Sequence, residues 1–263
     1  MIIIGERLNS SRKPVYNAML ERDTDYILEQ AFKQVHAGAD AIDINSAALL
    51  DKEVEVLTWM LPLLQEKIPV PISIDTSNPE AMEVGLEYHQ GQAFLNSLSG
   101  EQERIISFLP LIKKYKPKVI VLCLDNDGLP THAEQEYSVA ARMVELLDRE
   151  NVPLSNIFID PLVRPVGVDQ TAPRLFLESL KKIKKNIPEI KTIAGISNVS
   201  FGLPNRKLIN RTFLVLAVQE GLDAAIIDPL DQEKMASLSA AKALLGKDPN
   251  LKGFLGAVRS GRI

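Results

Sequence analysis

The chain has 263 residues, 46% of them hydrophobic, which is enough to bury one core of the size found in single-domain α/β barrels, so a second domain is not required. Its 30 basic and 34 acidic residues are spread along the chain and give a net charge of −4, without the basic excess of a nucleic-acid binder. A single cysteine, Cys123, excludes an internal disulfide and a multi-thiolate zinc site, and no segment approaches the ~20 apolar residues that span a bilayer.

The N-terminal "MIIIGERLNS" carries too short an apolar run, and no basic start, for a signal peptide, so the expected location is the cytoplasm. Short β-branched apolar runs then alternate with segments of helical period. The strand candidates are 1–4, 40–44, 70–75, 92–96, 118–124, 156–160, 191–197 and 224–228. Helices are expected between them at about 24–37, 51–66, 79–88, 101–115, 133–149, 171–186, 207–220 and 231–245. Asn78 before Pro79 reads as a helix start and Gly38 as a stop. Eight βα units in order fit the α/β class, as a closed (β/α)8 TIM barrel, better than an open doubly wound sheet. Residues 1–263 are expected to form one domain, the last residues packing on the barrel bottom or on a second subunit.

A barrel of this kind builds its active site at the carboxyl-terminal ends of its strands, and here those ends are polar in an ordered way. In chain order they carry Glu6, Arg7 and Asn9; Asp43 and Asn45; Asp75; Asn96 and Ser97; Asp125 and Asn126; Asp160; Ser197 and Asn198; and Asp228. Any one of these residues has a turn or cap role as its ordinary explanation. As a ring, Asp75, Asn96, Asp160 and Asn198 are expected to converge on one pocket suited to a neutral heterocycle rich in N–H donors. His36, His89 and His132 have no metal-ligand spacing, and His36 and His89 fall in helix segments. Cys123 within "VIVLCLD" reads as a buried thiol, and "DND" before Gly128 as a turn, so no metal site is expected.

"IGERLN", "IDTSNPEAMEVGL" (74–86), "LNSLSGE" (95–101), "IDPL" (159–162) and "GISNVSFGLPNRKLINRTFL" (195–214) together resemble the pterin-binding barrel family. The resemblance is to its methyltetrahydrofolate:corrinoid methyltransferases in particular. It covers nearly the whole chain, and "SNVS" followed by "NRKLINRTF" is its most specific part. The family includes the folate domain of cobalamin-dependent methionine synthase and, more distantly, dihydropteroate synthase. The resemblance implies methyl transfer between N5 of methyltetrahydrofolate and the cobalt of a corrinoid protein, on a barrel that is usually a homodimer.

A pterin presents an N3–H and a 2-amino group that one carboxylate can accept together; Asp160 is expected there, with Asn96 beside it. The resemblance carries Asp75 into a network reaching N5, making Asp75 and Asn198 the catalytic candidates. N5 leaves as an amine only if it gains a proton or strong hydrogen bonding as the methyl departs. An amide such as Asn198 can donate to the N5 lone pair and, after a flip, accept from N5–H. Glu6, Asn9, Asp43 and Asn45 match the family pattern and either touch substrate or hold the pocket floor. Ser197 and Ser200 are expected to satisfy backbone groups, while Arg206 and Arg211 either meet the folate tail or corrinoid partner or are ordinary surface arginines.

Two other readings compete. A dihydropteroate synthase would bring a lysine at the end of strand 7 and a Ser-x-Arg group after strand 8 for a pyrophosphate leaving group. This chain has Ser197-Asn198 and "IIDPLDQEK", the latter read as acidic where an anion needs donors. A non-catalytic pterin-binding subunit would not need Asn198. The cobalamin is expected on a separate corrinoid protein; acetogenesis, O-demethylation and betaine demethylation are left open by the sequence, as is the direction of transfer.

Overall fold

In the computed structural model of the protein, which describes residues 1–261 and 263, eight parallel strands close into a barrel in chain order. They are β1 (Ile2–Asn9), β2 (Ala41–Asn45), β3 (Ile72–Asp75), β4 (Phe94–Gly100), β5 (Lys118–Asp125), β6 (Ile157–Asp160), β7 (Lys191–Gly195) and β8 (Ala224–Ile227). β1 pairs with both β2 and β8, Ile2 lying opposite Ala224, and this pairing shuts the ring.

The surrounding helices are α1 (Lys13–Glu21), α2 (Thr24–His36), α3 (Glu53–Lys67), α4 (Pro79–Tyr88), α5 (Gln102–Tyr115), α6 (Ala133–Arg149), α7 (Ala172–Asn186), α8 (Arg206–Gln219), α9 (Gln232–Leu244) and α10 (Lys252–Arg259). Strands covered on both faces read as continuous apolar runs. Thus Val119, Ile120, Val121 and Cys123 of β5 are all buried. α4 starts where Asn78 Oδ1 accepts from the N–H of Glu80 at 3.0 Å, with Pro79 in its first turn, as the sequence predicts.

The barrel axis is packed. Ile4, Ala41, Phe94, Ile120, Phe158, Ile193 and Ala224 fill it, and the rings of Phe94 and Phe158 meet edge to face with centroids 5.3 Å apart. The axis is therefore a core and not a pore, and a ligand can be held only at the mouth.

Local departures from the sequence reading shape that mouth and its surroundings. β1 runs on to Asn9 because a shift in its pairing with β2 between Gly5 and Leu8 is stabilised from behind. There the N–H of Arg7 donates to Oε1 of buried Gln34 at 2.9 Å, in space that a side chain on Gly5 would occupy. β4 continues to Gly100, so Asn96 lies within the strand, not at its end. β7 stops at Gly195, and Ser197 and Asn198 belong to a 3-10 turn over Ile196–Ser200. α1, opened by Pro14, was not expected, and the last residues form α10 against α9. His89 lies one residue past α4, where Nε2 accepts from the N–H of Ile72 at 3.1 Å.

Candidate functional site

β2, β3 and β4 bring four of the expected polar side chains into contact. Asp43, buried, receives on Oδ1 the hydroxyl of Ser73 at 2.6 Å and the amide of Asn96 at 3.1 Å. Asn45 donates to Oδ2 of Asp75 at 2.7 Å. Burial, reinforced by the neighbouring charge of Asp75, pushes the Asp43 carboxyl well above its usual range, against the opposing bonds from Ser73 and Asn96. Burial likewise lifts Asp75 to about 6, with the Asn45 bond opposing. Asp43 thus holds its proton more tightly than an ordinary carboxyl, and the pair can share a proton at the floor of the mouth. Asp75 does not cap α4, since Asn78 does.

Asp160 ends β6 at 8% exposure. Its Oδ1 accepts from the N–H of Leu162 at 2.8 Å, while Oδ2 has no hydrogen-bond partner among the described residues. Burial lifts the group to about 7. Glu136 of α6, in the same buried region, is lifted by burial to about 8, against Ser179 and Arg164.

On the opposite arc of the mouth, β7, β8 and β1 surround a cleft of about 840 Å³. Glu6 Oε1 accepts from the hydroxyl of Ser197 at 2.7 Å, so Ser197 serves this carboxylate and not the backbone. Burial raises the Glu6 pKa, with Ser197, Lys234 and Arg12 opposing. Arg206 donates through Nη2 to the carbonyl of Ser197 at 2.8 Å and through Nε to Ser200 Oγ at 3.0 Å, clamping the turn from outside. Asn9 lines the cleft and accepts the N–H of Ser11 at 2.9 Å. Arg211 is taken up by Glu233 of α9 at 2.5 Å, away from any ligand role.

Asn198 stands on the clamped turn. The sequence reading puts this amide at the end of strand 7 as a catalytic candidate; the structure carries it on the turn beyond β7, exposed at the cleft wall, with no side-chain hydrogen bond among the described residues. The difference follows from the early stop of β7. Gly195 makes room for the amide, since a Cβ there would lie 3.1 Å from Asn198 Nδ2. Asp75, Asn96 and Asp160, on β3, β4 and β6, are not among the residues that line this cleft on β7, β8 and β1.

The end of β8 also differs from its sequence reading. Asp228 is paired with Arg7 at 2.8 Å, and the buried side chain of Lys234 joins the cleft, so this end is not acidic. Lys234 and the buried Asn210, which also lines the cleft, escaped the sequence reading. The available signal was that Lys234 begins an i, i+4, i+7 stripe with Leu238 and Ala241, the buried face of α9. Cys123 is a buried free thiol and Asp125 accepts the N–H of Gly128 in a turn, as expected. Among the described residues no group of three or more His, Cys, Asp or Glu side chains could hold a metal ion.

A packed parallel barrel whose mouth carries a half-satisfied carboxylate and amides has the groups to hold a flat, donor-bearing heterocycle. The chain belongs to the pterin binding enzyme family, whose sequence profile matches residues 5–228. It is 34% identical over 265 residues to the methylcorrinoid:tetrahydrofolate methyltransferase of Eubacterium limosum, covering 100% of this chain and 98% of that one. It is 27% identical over 240 residues to the methionine synthase of Mycobacterium tuberculosis, covering 86% of this chain but 20% of that larger protein. Among solved structures, a dihydropteroate synthase of Yersinia pestis superposes with a TM-score of 0.73 at 16% identity, over 94% of this chain and 93% of that one. One from Xanthomonas albilineans superposes at 0.72 and 15%, with coverage of 94% and 93%. At such identity the likeness concerns the barrel fold.

Proposed function

We propose that the protein transfers a methyl group between N5 of methyltetrahydrofolate and the cobalt of a corrinoid, and that residues 1–263 act as one pterin-binding domain. The observation that supports this best is the pairing of a pterin floor with a free amide: Asp160 keeps an unpartnered oxygen beneath the mouth, and Asn198 faces the cleft with no protein partner. The full-length likeness to a methylcorrinoid:tetrahydrofolate methyltransferase points the same way.

The residues fit a pterin. Asp160 Oδ2 takes the N3–H and 2-amino edge in charge-assisted bonds. Asn96, its NH₂ engaged by Asp43, offers its carbonyl to a ring N–H or amino group. N5 lies on the far edge of the ring, toward Asn198. Methyl departure from N5 needs N5 protonated: the proton makes the methylated nitrogen cationic, loss of the methyl relieves that charge, and the product amine keeps the proton as N5–H. Asn198 follows that proton by donating before and accepting after, and the Asp43 and Asp75 acids keep the floor supplied with protons.

The corrinoid supplies the cobalt nucleophile or methyl donor. The packed axis leaves no interior room for it, and we propose that a second protein presents it over the carboxyl-terminal face. We further propose a cytoplasmic homodimer; no helix of the described residues is long and apolar enough to cross a membrane. A dihydropteroate synthase reading gains nothing from the site, which has an amide and not a lysine after β7. The test is to mix the protein with methyltetrahydrofolate and chemically reduced cobalamin and follow methylcobalamin by its absorbance. Pterin binding without turnover would leave the non-catalytic subunit reading in its place.

A further inference from the structure

The closed end of the barrel carries a charge arrangement that the fold does not explain. Lys118 opens β5 and Lys191 opens β7. Ile120 and Ile193, two residues further along, fill the axis, so strand alternation turns both lysines inward as well. There the Lys118 ammonium lies 4.6 Å from the centroid of the Phe94 ring, and the Lys191 ammonium 5.1 Å from that of Phe158. These are the two rings that meet in the plug. Two cations are thus held against one apolar floor.

A lysine at a strand start ordinarily turns its head out to water. These two are half-buried, and among the described residues neither ammonium makes a hydrogen bond or an ion pair. Burial, and then the charge of Lys191, press the Lys118 pKa down. Carboxylates on the adjoining loops serve elsewhere: Asp223 pairs with Lys184 and Glu150 with Lys113, while Glu189, two residues before Lys191, is exposed and bonds to neither lysine. The aromatic faces attract each cation but do nothing for the repulsion between them.

A third group stands alongside. Val119 of β5 lies opposite Ile157 of β6, which sets Asn156 beside Lys118 one step nearer the closed end. The Asn156 side chain has no hydrogen-bond partner among the described residues. Asn156 also lines a cavity of about 460 Å³, a size that holds a small organic ligand, together with the exposed and unpaired Lys116.

We infer that the closed end of the barrel is an anion site, in which Lys118 and Lys191 together bind a small dianionic group, phosphate the simplest, and Asn156 donates to one of its oxygens. Two ammonium charges balance two negative ones, and lysine binds phosphate as a point charge without the fixed fork of arginine. The plugged axis separates this site from the mouth, so it is independent of the methyl transfer proposed above.

Melting curves of the full chain at pH 8 test this, in sodium phosphate and in sodium chloride of equal ionic strength. The unaltered protein is expected to gain about 2–4 °C in phosphate over chloride. Lys118→Met and Lys191→Met, which keep a stem over each ring, are expected to lose most of that gain, and in chloride to melt no lower than the parent because a repulsion is relieved. Lys207→Met removes an exposed cation at the mouth and is expected to keep the gain. The same gain in all four proteins would mark a general salt effect, and its loss in Lys207→Met would place the phosphate at the mouth; either result overturns the site. Equilibrium dialysis with labelled phosphate gives the count. The double variant is expected to bind one phosphate fewer per chain than the parent, and an equal count overturns the site whatever the melting curves show.

Discussion

The amide of Asn96 donates to the same carboxyl oxygen of Asp43 that receives the hydroxyl of Ser73, two donors converging on one buried acceptor. Burial favours the protonated form of this acid, which an amide of the same shape can replace. Asp43→Asn should therefore keep the melting temperature and the affinity for methyltetrahydrofolate close to those of the unaltered protein. Asp43→Ala leaves two buried donors without an acceptor, at about 1–3 kcal/mol each, and should lower the melting temperature by several degrees. A large loss with Asp43→Asn would mean that the carboxylate is ionised.

Asp160 is lifted by burial to about 7; in the proposed role it would accept the pterin donors as a carboxylate, and binding would then release its proton below that pH. Affinity for methyltetrahydrofolate should rise by up to about tenfold per pH unit from pH 5.5 to 7 and then level off. Asp160→Asn should bind far more weakly and lose that slope. Titrations at half-unit steps in a buffer of constant ionic strength would show an unaltered slope in the variant if another group were responsible.

For Asn198, exposure separates function from folding. Asn198→Ala should melt with the parent protein yet transfer methyl more slowly by a factor on the order of 10²–10⁴ at saturating folate, as when a positioned proton-handling group is lost. Asn198→Asp should recover only part of the rate, because an ionised carboxylate has no hydrogen to give to neutral N5. Arg206→Met, which unclamps the turn, should lower the rate with little change in pterin affinity. Single-turnover rates between pH 5 and 8 are the measurement; an Asn198→Ala variant at full speed would shift the proton to Asp75 or to water.

Glu136 is the buried acid that the chemistry does not use, 1% exposed and with Oε2 unpartnered. Burial raises its native pKa to about 8 from 4.5, so the native state binds more protons than the unfolded chain between those values. Its contribution to stability is then fully present below about pH 4.5 and is lost as pH rises toward 8. Glu136→Gln removes this dependence, so the variant should gain thermal stability relative to the parent between pH 5 and pH 9. Parallel melting curves across that range would refute it.

The repeated architecture was legible because parallel strands sealed on both sides must be apolar at nearly every position, and "VIVLC" cannot be much else. That Asp75 and Asp160 end their strands was legible from the strand positions, whereas the run of β4 beyond Asn96 was not. What escaped depended on contacts distant in sequence. The extension of β1 hangs on Gln34 from α2, twenty-seven residues away from Arg7. Whether Asn198 is buried depends on where β7 lets go, which its apolar run "KTIAGIS" does not mark. Lys234 is polar in type and buried in fact, since α9 presents that face to the cleft; a lysine in a first helical turn otherwise reads as solvated.

The edge-to-face stack of Phe94 on Phe158 plugs the barrel below the floor. A plugged cylinder has one doorway. On the proposed function, folate and corrinoid would share it, the smaller guest going in first and the docked protein standing as the door behind it. Spent folate would then wait for that door to open.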